Sequence, residues 1–516
     1  MMLGGRMGSK SDDGEPLNHL LFLTCFAALV TTAFCFVTRA FVIDDWGHAF
    51  NLSAREKGEL LGVGLWPFAI SIVILSLTID RIGFRLVLWF AVACHVSGTV
   101  ILLTGVGYWA LYIGTLILAL GNGAVEAAIN PLVATVFKHD KTKWLNMLHA
   151  GWPCGLVLGG LLALFQEDMN WRWKIGLVLV PVTVYSIMLL RQRFPVSERV
   201  AAGVPYREML AEAGYVSALL VASLIVVELG RVFDWSLALQ VVLIIAATFT
   251  YAFYARSPGR VMFIIMLLIM MPLATTELGT DSWIASLLEP ATAELGIQPG
   301  WILVYTSALV LVMRLFAGSL VHRFSPVGLL ALSSAIAAIG LYSLSAATGV
   351  TVLLAATLYG VGKSFFWPTS IGLVAEQFPK GGAVTMNVIA GVGMLAVGIV
   401  GSVLLGAVQD RAIGASLAAH DARQGTQLHA TFFTSEHSGL LGRYNSLDET
   451  KVAVTDGRTQ AVIARIVSDS KMSALRSVAM LPLGMLMAYL CLMLHFRRQG
   501  GYRAVVLNVA RARVGK

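Results

Sequence analysis

Apolar residues in this chain come in long runs separated by short polar stretches, with neither the alternation of a strand nor the narrow stripe of a soluble helix. A helix rising 1.5 Å per residue needs about 20 apolar residues to cross roughly 30 Å of hydrocarbon. Fourteen stretches meet or approach that length: 17–43, 57–79, 86–105, 109–136, 145–165, 173–190, 215–229, 235–255, 260–280, 302–321, 327–346, 351–375, 383–408 and 475–496. The first is too long for the core of a signal peptide, and no small-residue cleavage site precedes the second, so it reads as a transmembrane helix. The pattern predicts an all-α polytopic membrane protein of about 14 transmembrane helices.

Composition agrees: of 516 residues 57% are hydrophobic and only 13% charged, too few polar side chains to cover a soluble domain of this size. The formal charge of +8 is carried in short Lys and Arg clusters between apolar runs, which is a topology signal and predicts no nucleic-acid partner. Placing the amino terminus inside puts Arg81 and Arg85, Lys138, Lys141 and Lys143, Arg191 and Arg193, Arg256 and Arg260, and the basic tail on that side, leaving Arg55, Lys57, Arg172, Lys174 and Arg231 in short outer loops. The positive-inside rule then predicts both termini in the cytoplasm of a multi-pass protein in a cell membrane of the bacterial inner-membrane type. Cys25, Cys35, Cys94, Cys154 and Cys491 all lie in apolar runs, so disulfides are not expected.

Chemistry enters with Glu126 and Lys363, opposite charges in the middle of two apolar runs, each five residues before a proline, Pro131 and Pro368. A charge at bilayer depth is costly unless it faces a watery cavity or a partner, so this pair marks a transport pathway. Other features recur: Asp44-Asp45-Trp46 ends the first helix and Asp281-Ser282-Trp283 the ninth, while short loops at 80–85 and 322–326 follow the second and tenth. The expected organisation is an N-terminal tail (1–16), a six-helix bundle (17–191), a linker (192–214), an inserted two-helix hairpin (215–255), five helices of a second bundle (256–408), an extracytoplasmic insertion (409–474), the last helix (475–496) and a basic tail (497–516). Repeats of this kind place a substrate site near the midplane, between the halves.

At these residues the chain resembles the major facilitator superfamily. Asp80-Arg81-x-Gly83-x-Arg85 is similar to the loop signature after that superfamily's second helix, which implies a gating role for Asp80, Arg81, Gly83 and Arg85. The stretch Gly121-Asn-Gly123-Ala-Val-Glu126-Ala-Ala-Ile-Asn130-Pro131, followed by Leu145-Asn146-Met147-Leu148-His149, resembles the fucose permease branch of proton-coupled sugar symporters. The resemblance implies that Glu126 is the proton-coupling carboxylate, that Asn130, Asn146, His149 and Trp152 meet substrate, and that Arg314, in an Arg-Phe-like pair, is a gating residue. The branch's first-helix Asp is replaced by Ala40, beside Arg39, and its sugar-facing Gln and Asn correspond to His149 and Trp152.

Glu277, one turn before Asp281, is a second candidate for proton coupling in place of the missing Asp. Lys363 and Arg39 are candidates for an anionic substrate group, and Trp152 and Trp367 offer aromatic faces on which the C–H face of a sugar stacks. His95, alone among apolar residues, reads as core. Enzyme chemistry has little support: Gly362-Lys363-Ser364 imitates the end of a phosphate loop, but Thr357 stands where the first glycine is needed. No Cys/His cluster has metal spacing, and no cofactor is expected. The expected function is a monomeric secondary transporter in the lipid bilayer, carrying protons with a sugar or similar polyhydroxylated small molecule. The alternatives are an organic-anion transporter with Arg39, Arg314 and Lys363 as clamp, or a non-transporting membrane sensor.

Overall fold

The computed structural model of the protein describes residues 15–165, 169–280, 300–347, 349–439 and 442–507. Among them thirteen helices are long and apolar enough to cross a bilayer, and a shorter apolar helix makes a fourteenth. In chain order they are α1 (Asn18–Phe50), α2 (Arg55–Ile82), α3 (Phe84–Thr104), α4 (Tyr108–Val136), α5 (Lys141–Phe165), α6 (Trp171–Leu190), α7 (Tyr206–Val232), α8 (Leu237–Ala255), α9 (Val261–Gly279), α10 (Gly300–Leu315), α11 (Ala317–Leu344), α12 (Val350–Gln377), α13 (Pro379–Gln424) and α14 (Gly457–Arg498). With this number of crossings α1 starts and α14 ends on one face, called here the tail face; the opposite one is the insertion face.

Within the first half α3 packs on α4, α4 on α2, and α1 on α5; within the second, α11 packs on α12 and α14, and α9 on α13. The halves meet along α2 against α13, α5 against α10 and, at the tail face, α5 against α12. Small residues let the backbones close up: a Cβ on Gly123 of α4 would lie 2.3 Å from the Phe68 carbonyl oxygen of α2, and one on Gly155 of α5 would lie 2.4 Å from the Val30 carbonyl oxygen of α1. The stripe Gly151, Gly155, Gly159 is therefore a packing surface. Its apparent counterpart in α13 is not, because nothing lies within 4 Å of a Cβ built on Gly398 or Gly406.

Two chain reversals hide inside apparently continuous helices. Gly214 (φ 74, ψ 170) breaks α7 after one short amphipathic segment, and Ser325 (φ 61, ψ 161) breaks α11 just before Pro326. The turn between the tenth and eleventh crossings is therefore at Ser325, in agreement with the polar loop read at 322–326. The inserted hairpin, α7 and α8, pairs with itself and leans on α13. The outer surface of α8 carries exposed Val242, Ile245, Phe249 and Phe253, as a lipid-facing helix requires.

His95 is a satisfied core residue, with Nδ1 2.8 Å from the Tyr185 hydroxyl and Nε2 2.9 Å from Asn122 Oδ1. The five cysteines are free. Beyond the bundle, α13 and the first part of α14 continue as a packed helical pair, tipped by a two-stranded antiparallel hairpin, β1 (Ser435–Gly439) and β2 (Gly442–Ser446).

Candidate functional site

Proline has no N–H, so each proline inside a helix leaves the carbonyl four residues earlier without its usual donor. In a membrane that carbonyl must find another. Pro131 frees Ala127, whose oxygen accepts from Asn387 Nδ2 of α13 at 2.9 Å. Pro153 frees His149 and Pro368 frees Ser364; one residue serves both, Arg314 of α10, with Nη1 2.8 Å from the His149 oxygen and Nε 2.8 Å from the Ser364 oxygen. Two of these three contacts, Asn387 to Ala127 and Arg314 to His149, cross between the halves.

Arg314 has one more acceptor. Its Nη2 donates to Glu277 Oε1 at 2.7 Å, a buried ion pair. Glu277 lies in a single π-turn, Thr275–Gly279, which packs against a second π-turn, Val397–Gly401; such turns are frequent at functional sites. The other Glu277 oxygen accepts the Trp367 amide N–H at 2.9 Å. That amide belongs to the free N-terminus of the helical segment Phe366–Gln377, which follows the break in α12 at Ser364 and Phe365, where a carboxylate is favoured by the unpaired N–H groups.

On the other side of the seam Asn130 Nδ2 donates to Glu126 Oε2 at 2.7 Å, and His149 Nε2 lies 2.9 Å from Asn130 Oδ1. With the amide so oriented, the His149 proton sits on Nε2. A polar chain thus runs from Glu126 through Asn130 and His149 to Arg314, Glu277 and Trp367, across both halves. Two small cavities flank it. One, about 30 Å³, is lined by Glu126, His149, Trp152, Glu277, Arg314, Trp367 and apolar neighbours; the other, also about 30 Å³, by Trp152, Pro153, Glu277, Ser307, Arg314 and Lys363. Each has room for a water or two, so the halves are closed on one another here. A roomier cavity of about 350 Å³ lies at the tail face, but its Arg260 is already paired with Glu212, and Lys380 with Glu208.

The structure therefore brings together Glu126, Asn130, His149, Trp152, Glu277, Arg314, Lys363 and Trp367. Lys363 Nζ stands 5.5 Å from the centre of the Tyr359 ring. Two expected residues lie elsewhere. Asn146 is turned away, bonded to the Thr142 carbonyl at 2.9 Å and to Thr369 Oγ1 at 3.1 Å across the tail-face seam. Arg39 lines neither cavity; its guanidinium is buried against Gly64, at the break in α2, and over the Phe36 ring at 5.4 Å, with Nε lacking a hydrogen-bond partner. Arg314, expected at a gate, is the centre of the cavity wall. Asp281-Ser282-Trp283 lies outside the described residues, whereas Asp44 pairs with Lys57 at 2.9 Å and Asp45 with Lys174 at 3.4 Å.

In the loop motif, Asp80 is buried and accepts from Arg199 Nη2 at 2.7 Å and Ser197 Oγ at 2.8 Å. The Arg199 side chain rests against Gly382 at the start of α13, so the motif ties the linker to both halves. Arg81 stacks over Tyr206 at 4.8 Å, Gly83 holds the turn at φ 82, and Arg85 is exposed. Sequence reasoning missed Asn387. A donor for Ala127 was nonetheless implied, since counting four back from Pro131 identifies the carbonyl that needs one.

Two halves of membrane-spanning helices closed over a buried polar site define the architecture of a secondary transporter. The sequence profile described as Major Facilitator Superfamily matches residues 20–288, and the chain belongs to that family of membrane transporters. Similar solved structures include the proton:xylose symporter XylE bound to 6-bromo-6-deoxy-D-glucose (13% identity, 94% of this chain and 96% of that one, TM-score 0.59). The E. coli fucose:proton symporter FucP has 14% identity, with 91% and 98% covered and a TM-score of 0.55. The human organic anion transporter MFSD10 has 12% identity, with 92% and 100% covered and a TM-score of 0.56. These likenesses establish the all-α major facilitator fold. No curated protein matches the chain.

Proposed function

We propose that the protein is a proton-coupled symporter of a sugar or related polyhydroxylated molecule, alternating access around the Glu126 to Glu277 network. The observation that carries this reading is the linked pair of buried carboxylates, Glu126 held by Asn130 and Glu277 held by Arg314, beside Trp152 and Trp367. A carboxyl that trades such a partner for water as the cavity alternates can load and release a proton, and the tryptophan faces suit a sugar ring. The fold shared with xylose:proton and fucose:proton symporters supports it. The tail face is cytoplasmic on this reading, the cell membrane is of the bacterial inner-membrane type, and the chain works as a monomer.

The test is charge movement in proteoliposomes on a solid-supported membrane, with neutral sugars and small organic anions at two pH values. Inward positive current with a sugar, lost in Glu126→Gln, is expected. A second reading, organic-anion transport, is favoured by Lys363 in the cavity wall beside Arg314. Current with anions alone, lost in Lys363→Ala, would establish that reading in place of the first.

A further inference from the structure

The tail-face seam is closed where α5 begins. Thr142 is at the second position of the helix, where the backbone N–H has no partner within the helix. Asp140 occupies the N-cap without capping by its side chain. The missing acceptor comes from the other half: Glu376, near the end of α12, accepts the Thr142 amide N–H at 3.0 Å and its hydroxyl at 2.5 Å through Oε1. Lys141 Nζ beside it donates to the Ala375 carbonyl at 3.2 Å, and Gly372 packs on Thr142 so closely that a Cβ would lie 2.6 Å from the hydroxyl.

The second Glu376 oxygen is held by the chain's own C-terminal segment. After α14 residues 502–507, without regular secondary structure, lie against the end of α12, and Tyr502 donates its hydroxyl to Glu376 Oε2 at 2.6 Å. Val505 donates its N–H to the Glu376 carbonyl at 2.8 Å, Gln377 donates to the Arg503 carbonyl at 2.9 Å, and the Tyr502 ring meets Phe496 edge-on at 5.1 Å. Burial, and then the neighbouring Glu376 charge, pushes the Tyr502 phenol well above its ordinary range, so it remains a proton donor at any physiological pH.

We propose that Glu376 is the gate residue of the tail face, capping α5 across the halves, and that the strap 502–505 is a positioning element that holds its carboxylate in place. The proposal rests on alternating access but on neither substrate reading. Opening to the tail face must break the Thr142 contacts. The strap stabilises the closed form by fixing the Glu376 rotamer, so removing the strap shifts the equilibrium toward the open form.

The experiment places spin labels at His139→Cys and Arg323→Cys in the full chain, with exposed Cys491 and partly exposed Cys154 replaced by Ser. Both labelled sites are exposed on the tail face, beside the Asp140 and His322 pair at 3.8 Å. Pulsed dipolar spectroscopy then reads the distance across the seam. Tyr502→Phe, which keeps the ring and removes one bond to a carboxylate, is expected to raise the long-distance population about tenfold. Glu376→Ala should raise it at least as much, and Tyr502→Phe should add nothing to it, because the strap acts through Glu376. A distribution unchanged in Tyr502→Phe and also in a chain ending at Gln499 would overturn the proposal. A seam that widens in these variants of a protein that moves no solute would support the latch while removing the transport reading.

Discussion

Arg314 donates to three acceptors with one planar head: Glu277, the His149 carbonyl and the Ser364 carbonyl each take one of its nitrogens, in fixed directions. A lysine offers a point charge with no such fork. Arg314→Lys should therefore leave at least two buried acceptors unpaired, at about 1–3 kcal/mol each, which a lower denaturation midpoint in detergent would register together with lost flux. An unchanged midpoint would mean that water replaces the guanidinium freely. Glu126→Gln is a different kind of change, since the amide retains an oxygen for Asn130 Nδ2. It should abolish uptake driven by a pH gradient while substrate exchange persists; retention of both would remove Glu126 from coupling. The two buried carboxylates were legible in the sequence because charges within apolar runs stand out. Their partners were less so. The placement of Arg314 at the cavity's centre depends on the break in α12, and the Arg39 guanidinium occupies space at Gly64 that a Cβ there would fill.

Among elements, the recurring device is a proline that opens a helix's hydrogen-bond ladder and a side chain from another helix that closes it. The Pro131 and Asn387 pair tests this independently of any substrate. Asn387→Ala alone should destabilise the protein by about 1–2 kcal/mol, by orphaning the buried Ala127 carbonyl. In Pro131→Ala the restored residue-131 N–H satisfies that carbonyl within α4, so Asn387→Ala on that background should cost little. A double-mutant cycle of thermal denaturation showing simple additivity would disprove the coupling. Runs of apolar residues placed the helices well, because the bilayer fixes their length. Interruptions were harder to read. The break at Gly214 follows a polar segment and is locally signalled, whereas the π-turn at Thr275–Gly279 has no local signature beyond nearby Pro272. The glycine stripes of α5 and α13 look alike in sequence, yet only the first meets a neighbour, since a stripe records what a helix permits and not what packs against it.

For the whole molecule the least legible part is the insertion at 409–474, a polar, glycine-containing stretch that read only as an extracytoplasmic insertion. In the structure α13 is 46 residues long and α14 42, about 69 and 63 Å at the usual rise, roughly twice the hydrocarbon thickness. The excess forms a paired extension beyond the insertion face, with Leu417 and Ile463 buried in it. Its solvent-facing polar residues hid the pairing, because a two-helix seam needs only a narrow apolar stripe on each partner. This changes how the segment should be removed. Excising 409–474 would strip α13 of Leu417 and α14 of Ile463, leaving two helix ends without their mutual packing. Replacing only 425–456 with a short Gly/Ser loop removes the β1 and β2 tip while α13 still ends at Gln424 and α14 still starts at Gly457. Flux and denaturation midpoint should then stay near the parent values, because among the described residues the tip packs on α13 and α14 and on none of the Glu126 to Glu277 network. If the trimmed protein folds but no longer binds or moves any solute that the parent does, the tip is a ligand-binding element and the sensor reading regains its footing; flux near the parent value would leave recognition to the buried site between the halves.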